Sequence, residues 1–201
     1  NNYREFIHLL TELVKEGKVA ESRIDDAVLR ILTVKLETSL FEHPFAAPEL
    51  AARFGGKEHR DVARQCVRES LVVLKNDAKT LPLSKKLKHL AVVGKGADDI
   101  GMQCGGWTID WQGECGNITA GATTILGGIR RAISADARIT FSADAETIKG
   151  ADAVIVVVGE KPYAEMHGDR ADLRLAADDV KLVERARATG APVVTILLSG
   201  R

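Results

Sequence analysis

The chain has 201 residues, enough for one large domain or for one domain and part of another. Apolar residues make up 45% and charged residues 28%, with 28 basic and 28 acidic side chains, a balance that excludes disorder and argues against a basic surface for nucleic acid or anionic lipid. No apolar run approaches the roughly 18 residues of a membrane span, so neither nucleic acid nor membrane is expected as a partner.

Residues 4–16, REFIHLLTELVKE, carry Phe6, Leu9, Leu10, Leu13 and Val14 on one helical stripe, and Gly17 is placed to cap that helix. Ser22 is expected to open a second helix, with Asp25 as the short acid of a capping box. Ile24, Ala27, Val28, Ile31, Leu32 and Leu36 form its apolar face, and Phe41 and Pro44 end the unit. Residues 42–57 are rich in Pro, Ala and Gly and read as a linker. A helix is expected over 58–70, and SLVVLKN after it reads as a short strand. Strands then follow at 90–94, 137–142, 153–159 and 192–200, with helices at 123–134 and 177–190 between them, the last closed by Gly190.

The strands are continuously rather than alternately apolar, which implies burial on both faces. The fold class is therefore α/β, a mostly parallel sheet between helix layers. The expected divisions are 1–44, a linker at 45–57, and 58–201. The first two helices lack a sheet to cover their stripes, and the chain begins within a helical pattern and stops just after a very apolar strand. A piece of a longer protein is therefore expected.

Three stretches carry candidate chemistry. In QCGGWTIDWQGECGN, residues 103–117, glycines disfavour a helix, and the loop holds Trp107 and Trp111, the only two tryptophans of the chain. Flat indoles on a surface loop suit stacking on sugar rings. In GEKPYAEMHGDR, residues 159–170, a polar loop follows a buried strand, where open α/β sheets place binding groups. Either Glu160 or Glu165 is available there as a general acid/base, against the alternative of an ion pair to Arg170 or Lys161. Tyr163 is placed to position a carboxylate or to pack, His167 to act as a further acid/base or simply to stand exposed, and Asp169 and Arg170 to fix the loop. The third stretch, GKGADD at 94–99, has acids where a phosphate would sit, which argues against a nucleotide. Cys66, Cys104 and Cys115 show no C-x-x-C spacing, so no zinc is expected. Three free thiols are the expected state, with a Cys104–Cys115 pair the alternative in an exported protein.

Together these segments resemble glycoside hydrolase family 3, its β-glucosidases and exo-acting β-glucan glucohydrolases in particular. RIDDAVLRILTVKLETSLFEHP resembles the last helix of that family's (β/α)8 barrel and the exit from it, and ESLVVLKNDAKTLPL the start of its second domain, an α/β sandwich. CGGWTIDWQG and VVVGEKPYAEMHGDR resemble the two segments by which that domain completes the active site. The resemblance implies a retaining β-glycosidase with two carboxylates. The acid/base matches Glu165 rather than Glu160, and Trp107 and Trp111 match an aromatic pair gripping a sugar unit. It further implies that the nucleophile lies on a barrel preceding residue 1, so the barrel is an expected partner and the isolated chain is expected to be inactive. β-Linked glucosides or oligosaccharides are the implied ligands, no cofactor is implied, and a periplasmic or extracellular site is. Ser39 stands where the family commonly ends a helix with glycine. The alternative function is a non-catalytic carbohydrate-binding α/β module.

Overall fold

The computed structural model describes residues 2–77, 79–146 and 148–200. Its contacts divide the chain into one unit up to Val72 and a second from Val73.

The first unit consists of helices α1 (Tyr3–Lys15), α2 (Glu21–Glu37), α3 (Pro48–Ala51) and α4 (Lys57–Ser70). The single turn α3 falls inside the expected linker, and α4, grouped by its sequence with the second domain, falls in this unit. The Asn2 side chain caps α1 by accepting from the Glu5 N–H at 3.2 Å. The expected capping box of α2 does not form. Ala20 is its N-cap, without a side-chain bond, because Ser22 already lies inside the first turn.

The two long helices end alike. At α1 the Gly17 and Lys18 N–H groups return to Val14 and Leu13, both at 2.9 Å, with Gly17 at φ +70°. At α2 the Ser39 and Leu40 N–H groups return to Leu36 and Lys35 at 3.0 and 2.9 Å, with Ser39 at φ +52°. This double return requires a left-handed residue. Glycine accepts it freely, whereas a side chain costs about 1 kcal/mol or more. The apolar stripes of both helices are present, but within this unit Phe6, Leu9, Val28 and Ile31 are all exposed.

The strand expected at SLVVLKN is absent. Leu71, Val72, Val73 and Leu74 are all exposed, and no described strand pairs with them. A strand exists only through a neighbour that accepts its hydrogen bonds, so an apolar run without one remains irregular.

The second unit is built on β1 (His89–Val93), β2 (Arg138–Ser142), β3 (Ala153–Gly159) and β4 (Val193–Leu198). They form one sheet in the order β2-β1-β3-β4, parallel throughout, with Val92 opposite both Phe141 and Ile155 and Val156 opposite Thr195. Helices α5 (Ile100–Cys104), α6 (Ile125–Ala132) and α7 (Ala177–Ala188) connect them. Alternate strand residues serve opposite faces. Leu90, Val92, Ile155 and Val157 pack with Leu126 of α6, while Ala91, Val93, Val154, Val156 and Val158 pack with Leu182 and Ala186 of α7. Full burial of each such side chain is worth roughly 1.5–3 kcal/mol, which explains why AVIVVVG carries no polar residue on either face. The Asp152 carboxylate ties the starts of β1 and β3, accepting from the Lys88 and His89 N–H groups at 2.8 and 2.9 Å. No helix among the described residues is long and apolar enough to cross a membrane.

From β1 the chain moves outward to β2, then crosses back to β3 on the other side of β1. The connections therefore diverge between β1 and β3, and a crevice opens there beyond the carboxyl ends of the strands. The tryptophan loop leaves β1 and the glutamate loop leaves β3, so both rise from the two strands that flank this crevice.

Candidate active site

Asp99 organises the start of the tryptophan loop. Its Oδ1 accepts the Met102 N–H at 2.8 Å, capping α5, and the Gly116 N–H at 2.7 Å from the far end of the loop. The acid of GKGADD thus occupies the amide groups that a phosphate would need. Between these ends the loop folds on itself, with the Trp107 N–H donating to the Trp111 carbonyl at 3.0 Å. Trp107 and Ile109 both hold left-handed backbone, at φ +62° and +66°. The indoles lie 6.4 Å apart at 48°, and they are 68% and 41% exposed for Trp107 and Trp111. They face solvent rather than the core, as a stacking role requires.

The glutamate loop meets this one at three places. Gln112 Oε1 accepts the Ala164 N–H at 3.0 Å. The ring of His167 stands edge-on to Trp111, 5.4 Å away at 83°. Gly106 lies so close to Tyr163 that a Cβ on it would come within 2.1 Å of the Tyr163 carbonyl oxygen. Residues more than fifty positions apart in sequence are thereby joined. Gln112 and its contact with Ala164 carry no sequence signal, because a glutamine in a polar loop is ordinary until its partner is known. The Gln112 Nε2 is buried and has no hydrogen-bond partner among the described residues.

The two glutamates of the loop differ sharply. Glu160, its side chain 15% exposed, pairs through Oε1 with Arg170. Its Oε2 accepts the hydroxyls of Tyr163 and Ser199 at 3.0 and 3.1 Å and the Gly200 N–H at 3.4 Å. Arg170 thus pairs with Glu160, and the Tyr163 hydroxyl donates to the same carboxylate. Glu165 instead opens a 3-10 turn, Glu165–Gly168, with an exposed side chain. Its backbone is left-handed at φ +52°, a conformation costing about 1–3 kcal/mol and found preferentially at functional sites. Asp169 closes the turn, its N–H donating to Met166 at 3.0 Å.

A cavity of about 250 Å³ opens at the carboxyl ends of β3 and β4, lined in part by Met102, Gly106, Glu160, Tyr163 and Ser199. A wider one of about 880 Å³ reaches Lys95, Cys115, His167, Arg170 and Asp179. Neither includes Glu165, Trp107 or Trp111 in its lining, so these three stand on the surface beside the hollows. All three cysteines are free and exposed. Partial desolvation, then the Asp99 carboxylate, raises the Cys115 thiol above its ordinary value against the opposing pull of Lys161. Among the described residues no group of three or more His, Cys, Asp or Glu is placed to hold a metal.

Residues 71–201 match the glycosyl hydrolase family 3 C-terminal domain. The chain belongs to glycosyl hydrolase family 3. A lysosomal beta glucosidase of Dictyostelium discoideum is 34% identical to it over 215 residues, covering 96% of this chain and 26% of the relative. A periplasmic beta-glucosidase of Salmonella typhimurium is 29% identical over 233 residues, covering 96% of this chain and 30% of the relative. The crystal structure of an exo-1,3/1,4-beta-glucanase mutant from a Pseudoalteromonas species superposes with a TM-score of 0.91 at 40% identity, covering all of this chain and 34% of that one. The chain thus spans between a quarter and about a third of the length of these relatives. In this family 3 chain the parallel sheet presents two loops at one edge. One offers two solvent-facing indoles, and the other a carboxylate on a strained turn beside a second carboxylate already committed to four donors.

Proposed function

We propose that this chain is the second-domain part of a retaining, exo-acting β-glycosidase, with Glu165 as general acid/base and Trp107 and Trp111 as the platform for a sugar unit. The juxtaposition of the two loops across the β1/β3 crevice carries the reading: Trp111 meets His167 only two residues beyond Glu165. A retaining enzyme needs a nucleophilic carboxylate about 5–5.5 Å from the acid/base. On this reading the nucleophile belongs to a barrel domain preceding residue 1. Glu165 protonates the departing sugar oxygen as the nucleophile attacks the anomeric carbon. The resulting carboxylate then takes a proton from the water that hydrolyses the glycosyl-enzyme. Substrate and the rest of the polypeptide would exclude the water that now reaches Glu165. The ligands are β-linked glucosides or oligosaccharides, and the Salmonella relative's name supports a periplasmic or extracellular site.

The test is Glu165→Ala in the full-length polypeptide. Turnover of natural glucans should fall by about 10²–10⁴, the usual worth of general acid catalysis. Aryl glucosides with good leaving groups need little protonation, so their glycosyl-enzyme should accumulate, and azide should restore turnover as a β-glycosyl azide. The isolated chain should release no nitrophenol from an aryl β-glucoside. Azide rescue of Glu160→Ala with none of Glu165→Ala would reverse the assignment. Turnover by the isolated chain, abolished by Glu165→Gln, would remove the need for a second domain.

A further inference from the structure

We infer that Glu160 is the positioning residue of the acid/base loop, holding Glu165 where proton transfer to the leaving group is possible. The inference rests on Glu165 being the acid/base. Glu160 is fixed first by its own backbone, whose N–H extends the β3–β4 ladder to the Leu198 carbonyl at 2.9 Å. From that anchored point its carboxylate reaches three separate places. Oε2 takes the Tyr163 hydroxyl, the Ser199 hydroxyl and the Gly200 N–H, while Oε1 takes Arg170. An ionised carboxylate accepts at both oxygens, and here both are engaged, Oε2 by three donors and Oε1 by Arg170. The Glu160 carboxylate is therefore held in place from several sides, as a positioning group requires.

Those contacts enclose the acid/base. Tyr163 and Arg170 bracket residues 164–169, so one carboxylate clasps both ends of a span of six residues in which Glu165 is the second. Ala164, directly before it, is held separately by Gln112. The left-handed backbone of Glu165 persists only where its surroundings over-determine it, and the clasp supplies that constraint from within the loop. The Ser199 and Gly200 contacts extend it to the segment after β4, so the loop is referenced to the sheet and not merely to itself. Without the clasp, Glu165 keeps its carboxyl but loses its place. A displacement of about 1 Å in a catalytic group can cost about 10² in rate.

Misplacement and loss of fold give different kinetics. A displaced acid penalises substrates in proportion to how much protonation their leaving group needs. A damaged fold lowers the rate for all of them alike. The experiment measures kcat/KM for a series of aryl β-glucosides of increasing leaving-group pKa, in full-length wild type, Glu160→Ala, Glu160→Gln, Arg170→Ala, the Glu160→Ala/Arg170→Ala double variant, and Glu165→Ala. Glu160→Ala is expected to lose about 10–100-fold on the poorest leaving groups and to stay within about threefold on the most activated one. Azide should give little glycosyl azide, because the Glu165 carboxylate is still present. Arg170→Ala should shift the slope the same way by less, and the double variant should be no worse than Glu160→Ala, since both sever one clasp. Should Glu160→Ala fail to fold, Glu160→Gln, which keeps an acceptor for Tyr163 and Ser199 but loses the ion pair, must show the same steepening. A uniform loss across leaving groups, no loss, or additive Glu160 and Arg170 effects would overturn the inference. Steepening in Glu165→Ala alone overturns this inference and leaves the acid/base assignment standing; its absence in Glu165→Ala overturns both.

Discussion

Gly106→Ala tests whether the contact between the two loops sets the position of the candidate acid. The added Cβ would stand 2.1 Å from the Tyr163 carbonyl oxygen, 2.7 Å from its carbon and 3.1 Å from the Ala164 Cβ, and Cβ atoms essentially never approach within 3.0 Å. The nearest obstacle is backbone, so no rotamer change relieves it, and the tryptophan and glutamate loops must part by about 1 Å. Overpacking of this kind costs about 1–3 kcal/mol. At roughly 4 °C per kcal/mol for a domain of this size, Tm should fall by about 4–12 °C. In the full-length polypeptide the same displacement should lower kcat by up to about 10² on a poor leaving group and much less on an activated one. Gly128→Ala is the control. Gly128 lies inside α6 with nothing within 4 Å of an added Cβ, so alanine should stabilise by about 0.5–1 kcal/mol and leave kcat alone. Thermal unfolding and leaving-group kinetics on the same preparations decide the matter. A Gly106→Ala variant with wild-type Tm and kcat would show that the loops do not constrain each other.

Trp107→Ala and Trp111→Ala should each raise KM for oligosaccharides by roughly tenfold or less with little change in kcat, since stacking is present before the transition state; a fall in kcat at constant KM would refute the platform. The Asp152 carboxylate is held below its ordinary value, first by the His89 N–H and then by that of Lys88. Its contribution is present above the unfolded value of 3.8 and disappears as pH falls through the lower folded value. Asp152→Ala should therefore destabilise at pH 7, and the gap from wild type in urea midpoint should narrow as pH is taken below 3.8; a gap independent of pH would refute the linkage. Ser39→Gly should stabilise the helical unit by about 1 kcal/mol by relieving its left-handed serine, read as a higher urea midpoint, whereas a loss of stability would mean that the Ser39 side chain makes a compensating contact.

The sheet was largely legible because each strand announces its own environment. The continuous apolar run at 153–159 requires burial on both faces and has it, whereas the run at 193–198 forms an edge strand with Thr195 and Leu197 exposed. The same logic failed at Leu71–Leu74, equally apolar but with no strand beside it. Ser22 and Asp25 had the residue types of a capping box but sat two residues too far in. At the site, Tyr163, three residues from Glu160, hinted at a local hydrogen bond. Ser199 and Gly200, some forty residues away, gave no hint, and without them Glu160 and Glu165 looked equivalent.

By itself the sequence determined most of the element types, the double burial of the inner strands β1 and β3 and the residue chemistry of both loops, because periodicity and side-chain type act over a few residues. The order β2-β1-β3-β4, and with it the meeting of the two loops, was decided only in three dimensions. So was the difference in setting between Glu160, held by Tyr163, Ser199, Gly200 and Arg170, and the exposed Glu165 with its left-handed backbone. These features arise from contacts between segments far apart in the chain, which periodicity and residue type over a few positions do not encode.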